Sequence, residues 1–273
     1  MVNFLKLVQN ENMKIYRRLR TWIMLGAIVL IPILISIIWK LTTDGPDPSN
    51  WHATNQEFGF VLMLITIFTV VQSAESVAGE FTWGTIKLLL IRPWSRSVIL
   101  LSKYLSLILF ALFFTVIAFA VTLLANIAIF GYTDNPGDYL ARFSMGGQLA
   151  VDLSPWTLML EDIGLQLVSL VMIVSFAFML SSAFRSGGLA IGLSIFLLFA
   201  GSIITAILAS ANGTWVKYVM FIHLDLSSYL NGGDGPIPNH PMTMSFSLAV
   251  LAVYFIIFNL VSWTVFVKRD VAA

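Results

Sequence analysis

The sequence predicts an all-α integral membrane protein, about six transmembrane helices with both ends in the cytoplasm. Three observations predict it. First, of 273 residues 58% are hydrophobic and only 11% are charged, and the mean hydropathy is +0.89. A soluble domain carries about 25% charged residues, so this chain cannot cover a water-facing surface of its size. Second, six stretches lack any charged residue: 21–39, 58–74, 104–133, 163–184, 186–216 and 241–267. A bilayer crossing takes about 20 residues at about 1.5 Å rise each. Third, an inside N-terminus with six spans puts Lys6, Lys14, Arg17, Arg18, Arg20, Lys87, Arg92, Arg96, Lys103, Arg185, Lys268 and Arg269 on the cytoplasmic side. Only Lys40, Arg142 and Lys217 fall outside. Short loops obey that positive-inside bias, and the inverted topology would reverse it.

Taken in order, residues 1–20 hold five basic residues, with Phe4, Val8, Ile15 and Leu19 at near-helical spacing. This reads as an N-terminal amphipathic helix in the inner interface, ahead of an uncleaved start-transfer segment. Residues 21–273 then form one six-helix transmembrane domain. Trp22, Trp83, Trp94 and Trp263 fall near the inner interface, and Trp39, Trp51, Trp156 and Trp215 near the outer one, as an aromatic belt requires. The outer loops, 40–57, 134–162 and 217–240, are acidic and rich in Pro, Gly and Asn. Ser154-Pro155 reads as an N-cap followed by proline at the first helical position. Arg185-Ser186-Gly187-Gly188 is a tight inner turn between the fourth and fifth spans.

The inner segment after the second span departs from the polarity of a solvated loop. It contains Phe81, Trp83, Ile86, Leu88, Leu89, Leu90 and Ile91, bracketed by Gly84 and Pro93. Such a patch must bury itself in the membrane interface or in a partner protein. Gly84 permits a break, residues 85–91 suffice for two helical turns, and Pro93 ends them. The expected product is a short amphipathic helix rigidly joined to two spans.

The pattern Glu80-x3-Gly84-Thr85-x2-Leu88-Leu89-x3-Pro93-x2-Arg96-x6-Lys103, with six spans and a basic amphipathic start, resembles the permeases of type-2 ABC transporters. Within that class it is most similar to permeases of bacterial two-component exporters of peptide toxins, bacteriocins and peptide antibiotics. Trp94 stands where such permeases often have a smaller residue. The resemblance implies a permease subunit of the bacterial cytoplasmic membrane that works as a dimer, with a second copy or a homologous permease. Segment 79–96 would be the coupling helix seated on a separate ABC ATPase, which binds ATP and Mg. Glu80, Phe81, Trp83, Gly84, Thr85, Ile86, Leu88, Leu89, Pro93, Arg96 and Lys103 would be the coupling residues.

Other features bound the function. No G-x-x-x-x-G-K-[ST] phosphate loop occurs, and Gly146-Gly147, Gly187-Gly188 and Gly232-Gly233 are not followed by lysine. ATP hydrolysis is therefore expected in another polypeptide, and the chain itself is expected to be no enzyme and to hold no cofactor. His52, His223 and His240 lack the spacing of a metal motif. A net charge of +1 gives no field for nucleic acid. Polar residues within spans are costly in lipid, so Gln72, Glu75, Asn126, Gln166 and Asn259 are candidates for a substrate path; helix–helix hydrogen bonding is the competing reading. The functional alternative to an exporter is a membrane scaffold or immunity protein that binds a hydrophobic peptide without transporting it.

Overall fold

A computed structural model describes residues 2–42, 47–87, 94–133, 154–209, 213–230, 235–237 and 240–268. Among them the chain forms seven α-helices and no strand: α1 Val2–Tyr16, α2 Leu19–Thr42, α3 Asn50–Thr82, α4 Arg96–Phe130, α5 Pro155–Ala183, α6 Gly187–Leu208 and α7 Met244–Lys268. Three short 3-10 helices, Thr214–Tyr218, Met220–Leu224 and Leu226–Tyr229, lie between α6 and α7. Helices α2 to α7 are each long and apolar enough to cross a membrane. Their outer faces keep Phe196, Ile203 and Ile207 of α6 and Ile23 and Leu30 of α2 exposed, which suits a lipid solvent.

The caps explain several boundaries. Ser49, Ser95, Ser154 and Ser186 precede α3, α4, α5 and α6, and each side chain accepts a backbone N–H three residues on. Pro155 opens α5 as expected. Gly84 has φ +68°, a left-handed conformation open to glycine, and it breaks the chain just beyond α3. The turn between α5 and α6 packs on α3: the Gly187 N–H donates to Thr82 Oγ1 at 2.8 Å, and the Gly187 Cβ position lies 3.7 Å from the Gly79 backbone.

α3 is the central rod. It contacts α2, α4, α5 and α6, and Phe58, Val61, Ile65 and Val77 enter a core with Phe110 and Phe114 of α4 and Val174 and Phe178 of α5. At 33 residues it outruns the expected 58–74 span at both ends. The helix continues through Glu57, Glu75 and Glu80 because partners on other helices meet each carboxylate. Residues 79–82 are thus its last turn, rather than the start of a separate element. The fifth span is shorter than expected; it ends at Leu208 and leaves 214–218 as a 3-10 turn.

α1 packs on α4 as well as on α2. Leu7, Val8 and Ile15 are buried, whereas Leu19 is 76% exposed and belongs to the start of α2. Trp22, Trp83, Trp156 and Trp215 are exposed at helix ends, as the belt reading expects. Trp51 is not: it is 1% exposed, stacks edge-on against Trp156 at 5.0 Å and donates to the Thr133 carbonyl. It is a core aromatic that happens to lie at a helix end.

Candidate coupling site at the basic end

The end of the bundle that carries Lys6, Lys14, Arg17, Arg18 and Arg20 holds two ion clusters on either side of one cavity. In the first, α1 supplies Glu11 and Lys14 one turn apart, α3 supplies Glu80 from its last turn, and α4 supplies Lys103 from its second. Lys103 Nζ donates to Glu11 Oε2 and to Glu80 Oε1, both at 2.8 Å. Lys14 Nζ lies 2.7 Å from Glu11 Oε1 and 3.4 Å from Glu80 Oε1. Thr85, just past the Gly84 break, donates its hydroxyl to Glu80 Oε2. Two carboxylates and two ammonium groups make a neutral quartet. Neutrality matters, because Lys103 is only 5% exposed and Glu11 only 5%, and a lone charge there would carry its full desolvation cost.

Glu11 registers this balance. Burial pushes its carboxyl up, but Lys103 and then Lys14 overcome burial and hold it below the ordinary carboxylate range.

In the second cluster Glu75 of α3 pairs with Arg18 Nη1 at 3.0 Å and with Arg20 Nη1, while Arg20 Nη2 donates to Gln72 Oε1 at 2.9 Å. Gln72 and Glu75 are one turn apart on α3, so a single arginine spans them. Both clusters line a cavity of about 690 Å³ whose walls also include Trp83, Ser106 and Leu107. Its lining mixes ion-paired carboxylates and bases with an indole and the hydroxyls of Ser76, Thr85 and Ser106.

The structure brings together Glu80, Thr85 and Lys103 of the expected coupling residues. Ile86 is buried in the main core, and Phe81 packs against it. Trp83 is 71% exposed, so the break at Gly84 presents an indole outward beside the quartet. Arg96 lies apart and donates to the Val267 carbonyl at 3.0 Å, tying the start of α4 to the end of α7. Leu88, Leu89 and Pro93 lie outside the described residues.

The five path candidates do not converge. Gln72 and Glu75 belong to the arginine cluster. Asn126 is buried in the opposite half of the bundle, where its amide donates to Glu57 at 2.8 Å. Gln166 binds Ser227 at 2.9 Å, and Asn259 donates to the Phe255 carbonyl one turn back; these two make the helix–helix and within-helix bonds of the competing reading.

Sequence reasoning missed Glu11, Lys14 and Glu57. Glu11 had a signal: it falls four residues from Leu7 and from Ile15, on the buried stripe of α1. Glu57 had none beyond its place at the edge of a charge-free run.

Comparison with known proteins agrees with a membrane bundle. The model of a family described as "Protein of unknown function (DUF2705)" matches residues 43–272. Two relatives come from Bacillus subtilis (strain 168). "Uncharacterized protein YhcI" is 34% identical over an alignment of 328 residues, covering 98% of this chain and 99% of the relative. "Uncharacterized membrane protein YdbK" is 25% identical over 261 residues, covering 95% and 99%. With six spanning helices and a relative described as a membrane protein, the chain is a multi-pass membrane protein.

Proposed function

This chain belongs to the DUF2705 family, and we propose that it is the membrane-spanning permease subunit of an ATP-driven exporter of the ABC type. The observation that carries the reading is the joint at the end of α3. Trp83 stands exposed beside a φ +68° break, and the residues flanking that break, Glu80 and Thr85, are bound into the Glu11–Lys103 quartet. A push on the exposed turn therefore reaches α1, α3 and α4 together. The basic end faces the cytoplasm, where a separate ATPase binds ATP and Mg and seats segment 79–96.

The ATP-bound ATPase dimer must bind one arrangement of the bundle more tightly than the other, since only differential affinity shifts such an equilibrium. Six helices supply half of a two-fold pathway, so two permease copies assemble, or one copy pairs with a homologous permease. The cargo is a hydrophobic or amphipathic peptide. It gathers against the apolar faces of the spans and leaves at the far end.

The test is co-purification with a separate ABC ATPase subunit from the same organism. Wild-type protein alone should hydrolyse no ATP and should stimulate its ATPase once assembled. Trp83→Asp should insert normally yet lose the ATPase, because a carboxylate in a dry contact must be desolvated or break it. A lost anchor of this kind costs upwards of about 2 kcal/mol, roughly thirtyfold in affinity. Full stoichiometry and stimulated turnover in Trp83→Asp would overturn this assignment. If the chain bound peptide but recruited no ATPase, it would be the scaffold or immunity protein instead.

A further inference from the structure

Glu57 is 2% exposed in the second turn of α3, in the half of the bundle away from the basic end. Ser36 Oγ of α2 lies 2.9 Å from both carboxylate oxygens, and Asn126 Nδ2 of α4 donates to Oε2 at 2.8 Å. Among the described residues these are its hydrogen-bonding partners, and no ammonium, guanidinium or imidazole pairs with it.

The charged groups of the surrounding helices are engaged elsewhere or absent. On α2, Arg20 is bound to Glu75 and Gln72, and Lys40 is paired with Asp47. On α3 itself, the His52 ring packs edge-on against Trp39. α4 carries no titratable residue between Tyr104 and its end, and α6 carries none at all. The titratable groups of α5 are Glu161 and Asp162, both acidic, and neither can neutralise a carboxylate.

Hydrogen counting sharpens the problem. Ser36 has one hydroxyl proton, yet its oxygen lies within 3.0 Å of three acceptors: the two Glu57 oxygens and the Pro32 carbonyl. Within one helical turn along the chain, the Asn126 Oδ1 acceptor and the Thr54 and Thr122 hydroxyls are buried and have no hydrogen-bond partner. The Ser36 proton cannot serve all three acceptors, and no positive charge among the described residues compensates the Glu57 carboxylate. A buried carboxylate left this way is costly in a membrane interior.

We propose that Glu57, with Ser36 and Asn126, is a binding site for one small monovalent cation, a proton or an alkali-metal ion. A single charge is what the site calls for: one carboxylate is neutralised by one positive charge, and a divalent ion would leave a buried excess. Among the described residues no group of three His, Cys, Asp or Glu side chains could hold a metal ion either. Carboxylate, hydroxyl and amide oxygens are hard ligands suited to such a cation. A proton on Glu57 would donate to Ser36 Oγ and free the serine hydroxyl for Pro32. A sodium ion would instead be held by the Glu57 carboxylate with the Ser36 and Asn126 side-chain oxygens. Either occupant fastens α2 to α3 and α4, and its loss loosens that half of the bundle.

The test is thermal unfolding of the purified full-length chain in detergent. One arm raises NaCl, LiCl or KCl at fixed pH, with choline chloride holding ionic strength. The other varies pH without alkali metal. Wild type should gain stability along one arm. E57Q should lose that response and melt as the cation-loaded wild type does, because its amide supplies a donor to Ser36 and keeps an acceptor for Asn126. Response to an alkali cation identifies a metal-ion site, and response to pH alone identifies a proton site. S36A provides a check should E57Q fail to fold. For a proton site, removing a donor to the charged carboxylate should move the midpoint toward lower proton concentration, by about tenfold for one charge-assisted hydrogen bond; for an alkali-metal site, removing a ligand oxygen should move it toward higher salt. Identical responses in wild type and E57Q, or an S36A midpoint unmoved or shifted against the direction expected for the occupant identified, would overturn the proposal. The readout is the stability of the chain alone, so failure here leaves the transport reading untouched.

Discussion

Replacing Lys103 by methionine puts the quartet to the sharpest trial. Lys103 Nζ sits 2.8 Å from each of two carboxylates. At an effective dielectric of about 20, each pair is worth a gross Coulomb energy of about 6 kcal/mol. Desolvation of the three buried groups offsets most of that, by several kcal/mol per ion. The net value of the lysine is therefore modest, but removing it strands Glu11 and Glu80. Lys14 reaches both, though its side chain is 36% exposed and its contact with Glu80 is 3.4 Å, so it compensates in part. Lys103→Met should cost about 3–5 kcal/mol, toward the lower end, or roughly 10 °C in melting temperature. The triple variant Lys103→Met, Glu11→Gln, Glu80→Gln removes the stranded charges and should recover to within about 1–2 kcal/mol of wild type, since a buried ion group exchanged whole is often near neutral. Thermal unfolding followed by tryptophan fluorescence, with the double-mutant cycle between Lys103 and Glu80, measures both. A loss under about 1 kcal/mol for Lys103→Met, the range of exposed pairs, or a triple variant no better than the single one, would refute the quartet as a buried neutral unit.

Three further outcomes are expected. Gly84→Ala should cost about 1 kcal/mol and Gly84→Asn less, because nothing lies within 4 Å of the Gly84 Cβ position and the penalty is purely that of φ +68°; equal stability of all three proteins in chemical or thermal unfolding would contradict that conformation. Glu11 is held below the ordinary carboxylate range, so its contribution is complete above about pH 4.3 and is lost as pH falls through the lower folded value; a melting series from about pH 6 to 3 should fall less steeply in Glu11→Gln than in wild type. For orientation, a cysteine at Ser49 should react with an impermeant thiol reagent in intact cells and one at Ser95 should not; labelling of Ser95 would invert the assignment of the basic end to the cytoplasm.

The helices were legible because lipid imposes a strong and local signal, a run without charge long enough to span. Their ends were less so, and α3 shows why. Glu57, Glu75 and Glu80 mark boundaries in a hydropathy reading, yet the helix runs through all three. Each is met by residues distant along the chain: Glu57 by Ser36 and Asn126, Glu75 by Arg18 and Arg20, Glu80 by Lys103 and Lys14. Burial of a charge depends on its spatial partner, and no window along the sequence contains that partner. The same reason separates the site residues. Gly84 was readable as a local break, and Glu80, Thr85 and Lys103 from a resemblance carried by one short stretch of sequence, whereas Glu11 and Lys14 entered only when α1 packed on α4. Asn126 stood out as a polar residue in a long apolar run, but what it serves, a carboxylate 69 positions earlier, did not.

α3 also joins the two halves of the molecule. Glu57 and Glu80 are 23 positions apart on one continuous helix, a rise of about 35 Å at about 1.5 Å per residue. Helix α2 is tied to this rod at both heights, by Arg20 to Glu75 and Gln72 at the basic end and by Ser36 to Glu57 in the far half. α4 is tied to it twice as well, by Lys103 to Glu80 and by Asn126 to Glu57. Two ties per helix resist both sliding and splaying, so α2, α3 and α4 move as one body while all four hold. The far ties rest on Glu57, whose charge no described residue pairs; the basic-end ties rest on ion clusters that are charge-balanced or carry excess arginine. Should the bundle open on a stroke at Trp83, it opens where cohesion depends on a bound cation, and the three helices part at the far end before they part at the basic one.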